Sequence, residues 1–200
     1  MGTKEKILPY FPLNISLLPG EDIPLRIFEP KYKQLINECF EGKSNFGIPF
    51  LKDSRMQNFG IECRLKQMVA KNSKGEMVVV VLGVINFEVK SVQDPLPGKL
   101  YSGGKILPIT NDQPVKKEEL LKMLLYYTDN LDPDFLKNVK GKEILINDIA
   151  RALNLSSEDK FRFISLKDHE KQEQFLKTQL WYLMKLREQE KLLKNDFYLN

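Results

Sequence analysis

A chain of 200 residues with 42% hydrophobic and 29% charged residues has the balance of a soluble globular protein, and it is too short to hold a motor beside a separate active site. Folding at this length buries roughly 70% of the unfolded surface, enough for one large domain or two small lobes. A net charge of +4, with Lys and Arg interleaved among Asp and Glu, does not single out nucleic acid, and no apolar run is long enough to span a bilayer.

Strand signals fill the first half. Leu13, Ile15 and Leu17 alternate with outward positions, Leu18-Pro19-Gly20 turns the chain, and Ile23, Leu25 and Ile27 alternate again, which predicts two strands with a tight connection. Pro30 suits the first turn of a helix, Tyr32, Leu35, Ile36 and Cys39 follow at helical spacing, and Gly42 offers a left-handed stop. Phe46 to Leu51 forms a third apolar run, and Ile61, Cys63 and Leu65 a fourth. Asn72-Ser73-Lys74-Gly75 then precedes the β-branched run Met77 to Leu82, predicting a hairpin between 61–70 and 77–82. Gly83 punctuates that strand, Phe87 and Val89 continue it, Pro95, Pro97 and Gly98 mark a loop, and Tyr101 to Ile109 supplies a last strand. Short, closely spaced strands of this kind predict a small barrel or rolled sheet.

Beyond about Asn111 the period becomes helical. Leu120, Leu121, Leu124, Leu125 and Tyr127 predict a helix from roughly Lys116 to Asp129, and Asp132-Pro133 opens another short turn. Ile146, Ile149, Ala150 and Leu153 carry the next stripe, Ser156 and Asp159 have capping-box spacing, and Asp168 is placed to cap a final helix over about 169–194. Leu176, Leu180, Leu183, Leu186 and Leu193 line one side of that helix and are expected to cover a helical bundle of the same protein. The reading is therefore α+β, a β lobe over 1–111 followed by a helical lobe over 112–200 with a long C-terminal helix.

Motifs that carry chemistry are incomplete. Gly42-Lys43-Ser44 resembles the end of a phosphate-binding loop, but Asn37 stands where that loop needs glycine, and the residues follow a helix instead of a strand. Gly103-Gly104-Lys105 fails in the same way, with Lys99 and Ile106 at the required positions. His169 is the only histidine, and Cys39 and Cys63 stand far apart, so a structural zinc site is not expected and both thiols read as small core hydrophobes. No GxSxG elbow presents a serine nucleophile. Glu118-Glu119 and Glu158-Asp159 sit at helix starts, where they favour the helix dipole. The expectation is a protein without catalytic residues, cofactor or metal.

The start of the chain, Met1 to Lys6, is polar and lacks the apolar core of a secretion signal, and Lys6 departs from the myristoylation pattern, so the cytoplasm is expected. Specific resemblance comes from Leu8-Pro9-Tyr10-Phe11-Pro12-Leu13, Leu18-Pro19-Gly20 and the run Ile23-Pro24-Leu25-Arg26-Ile27-Phe28-Glu29-Pro30-Lys31-Tyr32. It continues through Phe46-Gly47-Ile48, Gly60-Ile61, Gly83, Phe87, Tyr101 and Ile149-Ala150-Arg151-Ala152-Leu153-Asn154-Leu155-Ser156. Together these residues resemble the amino-terminal substrate-recognition domain of Lon proteases over nearly the whole chain. Asn86 departs from the pattern, in which an arginine often precedes the phenylalanine.

The resemblance implies a PUA-like β-barrel lobe followed by a helical bundle, without the ATPase and serine-lysine peptidase parts. It implies recognition of unfolded or degron-bearing polypeptides, with a separate protease or chaperone as a partner to be served. Tyr10, Phe11, Arg26, Phe28, Glu29 and Tyr32 are the polypeptide-binding candidates. Beside that role, Arg26 and Glu29 are expected to pair locally, Phe28 and Tyr32 to share a helix face toward the core, and Tyr10 and Phe11 to be partly exposed by their flanking prolines. RNA is a weaker partner: Arg64, Lys66, Lys71 and Lys74 gather near the hairpin, but no aromatic residues interleave for base stacking. An adaptor for one dedicated folded partner is the third reading.

Overall fold

Alternating apolar residues and turn chemistry build the sheet close to where the sequence places it. The structure is a computed structural model that describes residues 4–110, 112–128 and 143–197, so the predicted turn at Asp132-Pro133 lies outside the described residues. Six strands, β1 (Lys6–Pro9), β2 (Asp22–Ile27), β3 (Phe46–Lys52), β4 (Arg55–Lys71), β5 (Met77–Val89) and β6 (Gly103–Pro108), join in one antiparallel sheet. Among the described residues five helices accompany them: α1 (Pro30–Gly42), α2 (Glu118–Thr128), α3 (Ile146–Ala152), α4 (Ser157–Ser165) and α5 (His169–Phe197). The chain falls into two compact units, Met1–Thr110 with Leu155–Ser165, and Asn111–Asn154 with Leu166–Asn200.

In the first unit the strands follow the order β1-β6-β5-β4-β3, with β2 added to the first half of β5. The segment after β1 then crosses to the far edge. Tyr10 bridges Gly47 and Leu13 bridges Phe50, held by the Phe11 amide on the Gly47 carbonyl at 2.8 Å and the Leu51 amide on the Leu13 carbonyl at 2.7 Å. Both ends of the sheet thus meet and the sheet closes into a small barrel. The expected strand over Leu13–Leu17 is replaced by this arrangement. Regular pairing begins earlier, at Lys6, and residues 14–17 form no strand although Leu17 is buried.

The core of this unit is the inward face of that barrel together with one side of α1: Leu25, Ile27, Leu35, Ile36, Cys39, Phe46, Ile48, Ile61, Cys63, Val79 and Val81. Cys39 and Cys63 are free and buried, as small apolar residues would be. Phe87 shows why two motif positions are glycine. A Cβ on Gly47 would stand 2.9 Å from its ring, and one on Gly60 would stand 2.8 Å from the ring and 2.5 Å from the Ile48 carbonyl oxygen. Only bare backbone lets β3 and β4 approach this ring.

Helix α4 belongs to the barrel unit. Ser156 caps it as its spacing predicts, its Oγ accepting the Asp159 amide at 3.1 Å. Phe161 lies against Phe50 and Phe59, with ring centroids 4.9 and 6.0 Å apart. Lys160 Nζ donates to both Glu21 carboxylate oxygens at 2.7 and 2.9 Å, and Glu21 Oε2 also accepts the Leu18 amide at 2.8 Å. One carboxylate therefore ties the Leu18-Pro19-Gly20 turn to the helix.

In the second unit α2 and α5 run parallel. Glu173 of α5 accepts the Lys116 amide at 2.5 Å just before α2, Lys177 pairs with Glu119 at 2.6 Å, and the Arg187 guanidinium lies 4.6 Å from the Tyr127 ring centroid. Asp168 caps α5 as expected, accepting the Lys171 amide at 2.9 Å. The leucine stripe of α5 is used only in part. Leu176 and Leu180 are buried and Leu183 is half-buried, whereas Leu186 is partly exposed and Leu193 is 60% exposed.

Candidate functional site

The six candidate residues lie along the path from β1 to the first turn of α1. Tyr10 and Phe11 are both buried, which corrects the exposure expected from the prolines around them. Pro9 and Pro12 do not keep the segment out of pairing, because the Tyr10 amide donates to the Ser102 carbonyl at 2.7 Å and the Phe11 amide to Gly47. The Tyr10 ring stacks on Phe87 with centroids 6.3 Å apart, and its hydroxyl donates to the Ser91 and Lys105 carbonyls at 3.3 and 3.2 Å. Burial pushes its pKa up to about 12. Phe11 packs at 4.0 Å on Tyr32 and at 6.4 Å on Phe46.

Phe28 and Tyr32 part company. Tyr32 is half-buried beneath Phe11, with Lys31 Nζ 4.7 Å from its ring centroid, while Phe28 is 57% exposed. The expected shared core face does not form, because Phe28 precedes α1 and the backbone leaves β2 before helical spacing begins at Pro30. The expected Arg26–Glu29 pair is also replaced. Arg26 approaches Glu76 at 3.9 Å, since the β2–β5 register sets Arg26 opposite Val78, and Glu29 pairs with Lys31 at 3.3 Å. Both pairs are solvent-exposed and contribute little to stability. Of the six, Phe28, Arg26 and Glu29 therefore offer surface, and Tyr10 and Phe11 build the closure beneath it.

Asn86, the departure from the family pattern, is buried. Its amide nitrogen donates to the Leu17 carbonyl at 2.9 Å, so it holds the loop ahead of β2 against β5. The basic residues near the hairpin are dispersed among partners: Lys66 pairs with Asp22, and Lys71 Nζ donates to Asn37 Oδ1 at 3.1 Å.

Sequence reasoning passed over Phe40, which is 57% exposed although it follows Ile36 by four residues on α1. The recess beside Phe40, of about 550 Å³, also reaches Lys43, Arg64 and Leu65. Among the described residues no cluster of His, Cys, Asp and Glu could hold a metal ion, and no helix is long and apolar enough to cross a membrane.

A closed antiparallel barrel of six strands, a helix packed on it and a long final helix define an α+β protein of the barrel-and-helix class. The chain belongs to the ATP-dependent protease La (LON) substrate-binding domain family, whose model matches residues 7–195. The Lon protease of Flavobacterium johnsoniae is 25% identical over 214 aligned positions, which take in 94% of this chain and 25% of that protein. The chain thus spans about a quarter of the length of that relative. The crystal structure of a Lon N-terminal domain protein from Xanthomonas campestris superposes with a TM-score of 0.65 at 25% identity, covering 86% of this chain and 97% of its own. The N-terminal domain of the Mycobacterium avium complex Lon protease shares the fold at 13% identity, with a TM-score of 0.51 over 90% of this chain and 97% of its own.

Proposed function

We propose that the chain is a non-catalytic polypeptide-recognition module, binding extended segments of unfolded or degron-bearing proteins in the cytoplasm and serving protein quality control as an adaptor. The observation that carries this reading is membership of a substrate-binding domain family over 189 consecutive positions, residues 7–195. Exposed apolar side chains on the barrel unit, Phe28, Phe40 and Val69, support it, since large apolar residues on a surface are a means of holding unfolded chain. Arg26 and Glu29 flank Phe28 with polar groups able to orient a bound backbone. A protease or chaperone is the partner to which such a module would deliver its clients.

The test is photo-crosslinking of the purified protein to model polypeptides in folded and in permanently unfolded form. Preferential capture of the unfolded forms is expected across several clients, reduced by Phe28→Ser. Equal capture of folded and unfolded forms, or none, would overturn the reading. Affinity purification returning a single stoichiometric folded partner would replace it with a dedicated adaptor.

A further inference from the structure

We infer that the recess between the C-terminal turn of α1 and β4 seats a short client segment in which an Asp or Glu stands next to a bulky apolar residue. This rests on the polypeptide-recognition reading and adds to it the chemistry of the client.

The sheet leaves this place open. The pairing of β3 with β4 begins at Phe46 opposite Cys63, while β4 runs on to Lys71 paired with β5 alone. From Arg64 onward one edge of β4 has no strand beside it. Register shifts at Leu65/Gln67 and Met68/Ala70 break the regularity of that edge, so a long added strand is disfavoured and only the stretch at Arg64 and Leu65 is offered. A recess of about 550 Å³ lies against this stretch. That volume falls within the range of pockets that enclose a small ligand, and so takes a few residues of extended chain but not a folded surface.

Its lining states what fits. Phe40, 57% exposed, and half-buried Leu65 give an apolar contact, and Ser44 and Asn45 give polar ones. Lys43 and Arg64 add two cations, and no carboxylate lines the recess. Neighbouring cations are already engaged: Lys66 with Asp22, Lys33 with the Lys74 carbonyl at 2.9 Å, and Lys71 with Asn37. Lys43 and Arg64 have no such partner among the described residues. Glu62, two residues before Arg64, is buried and held by Lys6 at 2.6 Å and by Asn45 at 2.8 Å. Two unpaired cations beside an apolar contact complement a carboxylate beside an apolar side chain.

The experiment is fluorescence polarisation with labelled ten-residue peptides that differ only at the centre, Glu-Phe against Gln-Phe and Glu-Ser. Each replacement is expected to weaken binding about tenfold, and the Lys43→Glu, Arg64→Glu double variant to lose the preference for Glu. The same variant should bind a Lys-Phe peptide better than the unaltered protein does, a gain that a misfolded variant would not show. Equal binding of Glu-Phe and Gln-Phe peptides overturns the inference. So does unaltered crosslinking of unfolded clients by the double variant, which would leave polypeptide recognition standing at another surface. Failure of the unaltered protein to capture any unfolded client would remove both, and loss of RNA binding in the variant without loss of peptide binding would assign the recess to nucleic acid.

Discussion

Gly60 sits where two backbones and an aromatic ring meet, and the consequence of filling that space is direct. In Gly60→Ala the new methyl would stand 2.5 Å from the Ile48 carbonyl oxygen and 2.7 Å from Pro49 Cα, neither of which is the free end of a flexible side chain. Backbone must shift, at a cost of about 1–3 kcal/mol or more. Urea denaturation should show a lowered midpoint with an unchanged slope; an unchanged midpoint would mean that β3 relaxes freely. Several motif residues prove to be packing partners of this kind: Gly47, Gly60, Tyr10 and Phe87 surround one another, and a Cβ on Gly83 would meet Ile61 at 2.6 Å. The residues that made the family legible are thus in large part those that close the barrel. The candidate site was less legible, because exposure depends on what lies opposite in space. The proline pattern around Tyr10 and Phe11 suggested surface, yet the bridges to β3 bury both, and no local signal marked Glu76 as the residue that would approach Arg26.

At the scale of elements, single carboxylates hold helices in place. Lys160 is buried and its pairing with Glu21 joins α4 to the turn before β2. Lys160→Met should cost about 3 kcal/mol, because it leaves the Glu21 carboxylate without its cation in a largely shielded place. Adding Glu21→Gln removes that stranded charge and should recover part of the loss. If the double variant is as unstable as the sum of the single ones, the pair is not coupled. Glu173 plays the corresponding part in the helical unit, accepting the Lys116 amide at 2.5 Å and the Lys117 amide at 3.3 Å, with His169 Nε2 at 3.2 Å. Glu173→Ala should cost about 2 kcal/mol through loss of this cap. Hydrogen exchange should speed up in the first turn of α2 ahead of the rest of the unit, and uniform acceleration would argue against a capping role. Periodicity located α2, α3 and α5 to within a few residues, but it did not announce these caps from a distant helix. Local signals did announce theirs: Ser156 and Asp168 cap the helices they precede.

For the molecule as a whole, alternation and turn residues predicted an α+β chain with strands first and helices after, and the described elements follow that order. The short strands predicted a small barrel or rolled sheet, but the contact that closes it was not legible, because it depends on a crossing from β1 to β3 between residues nearly forty positions apart in sequence, Tyr10 and Gly47. Closure in turn determines how the barrel responds to base. Burial raises the Cys63 thiol from 9.0 to about 12, with Glu62 adding to the shift, and raises Tyr10 from 10.0 to about 12; Tyr101 moves the same way through burial and its bond to Glu38. In the unfolded chain the Cys63 thiol and the Tyr10 hydroxyl lose their protons near pH 9 and 10, whereas in the folded protein they keep them until about pH 12. The unfolded state then binds fewer protons, so stability is fully present below about pH 9 and falls as pH rises toward 12, by up to about 1.4 kcal/mol per pH unit for each group. Cys39, raised by burial as well, contributes in the same direction. In Cys63→Ala the loss of stability between pH 9 and 10 should be shallower than in the unaltered protein, with Cys39 supplying the remainder, and the steeper loss from Tyr10 should persist above pH 10. Denaturant titrations at half-unit intervals of pH measure this slope independently of any fixed cost of the substitution, and an identical slope in both proteins would show that the Cys63 thiol ionises as readily in the barrel as outside it.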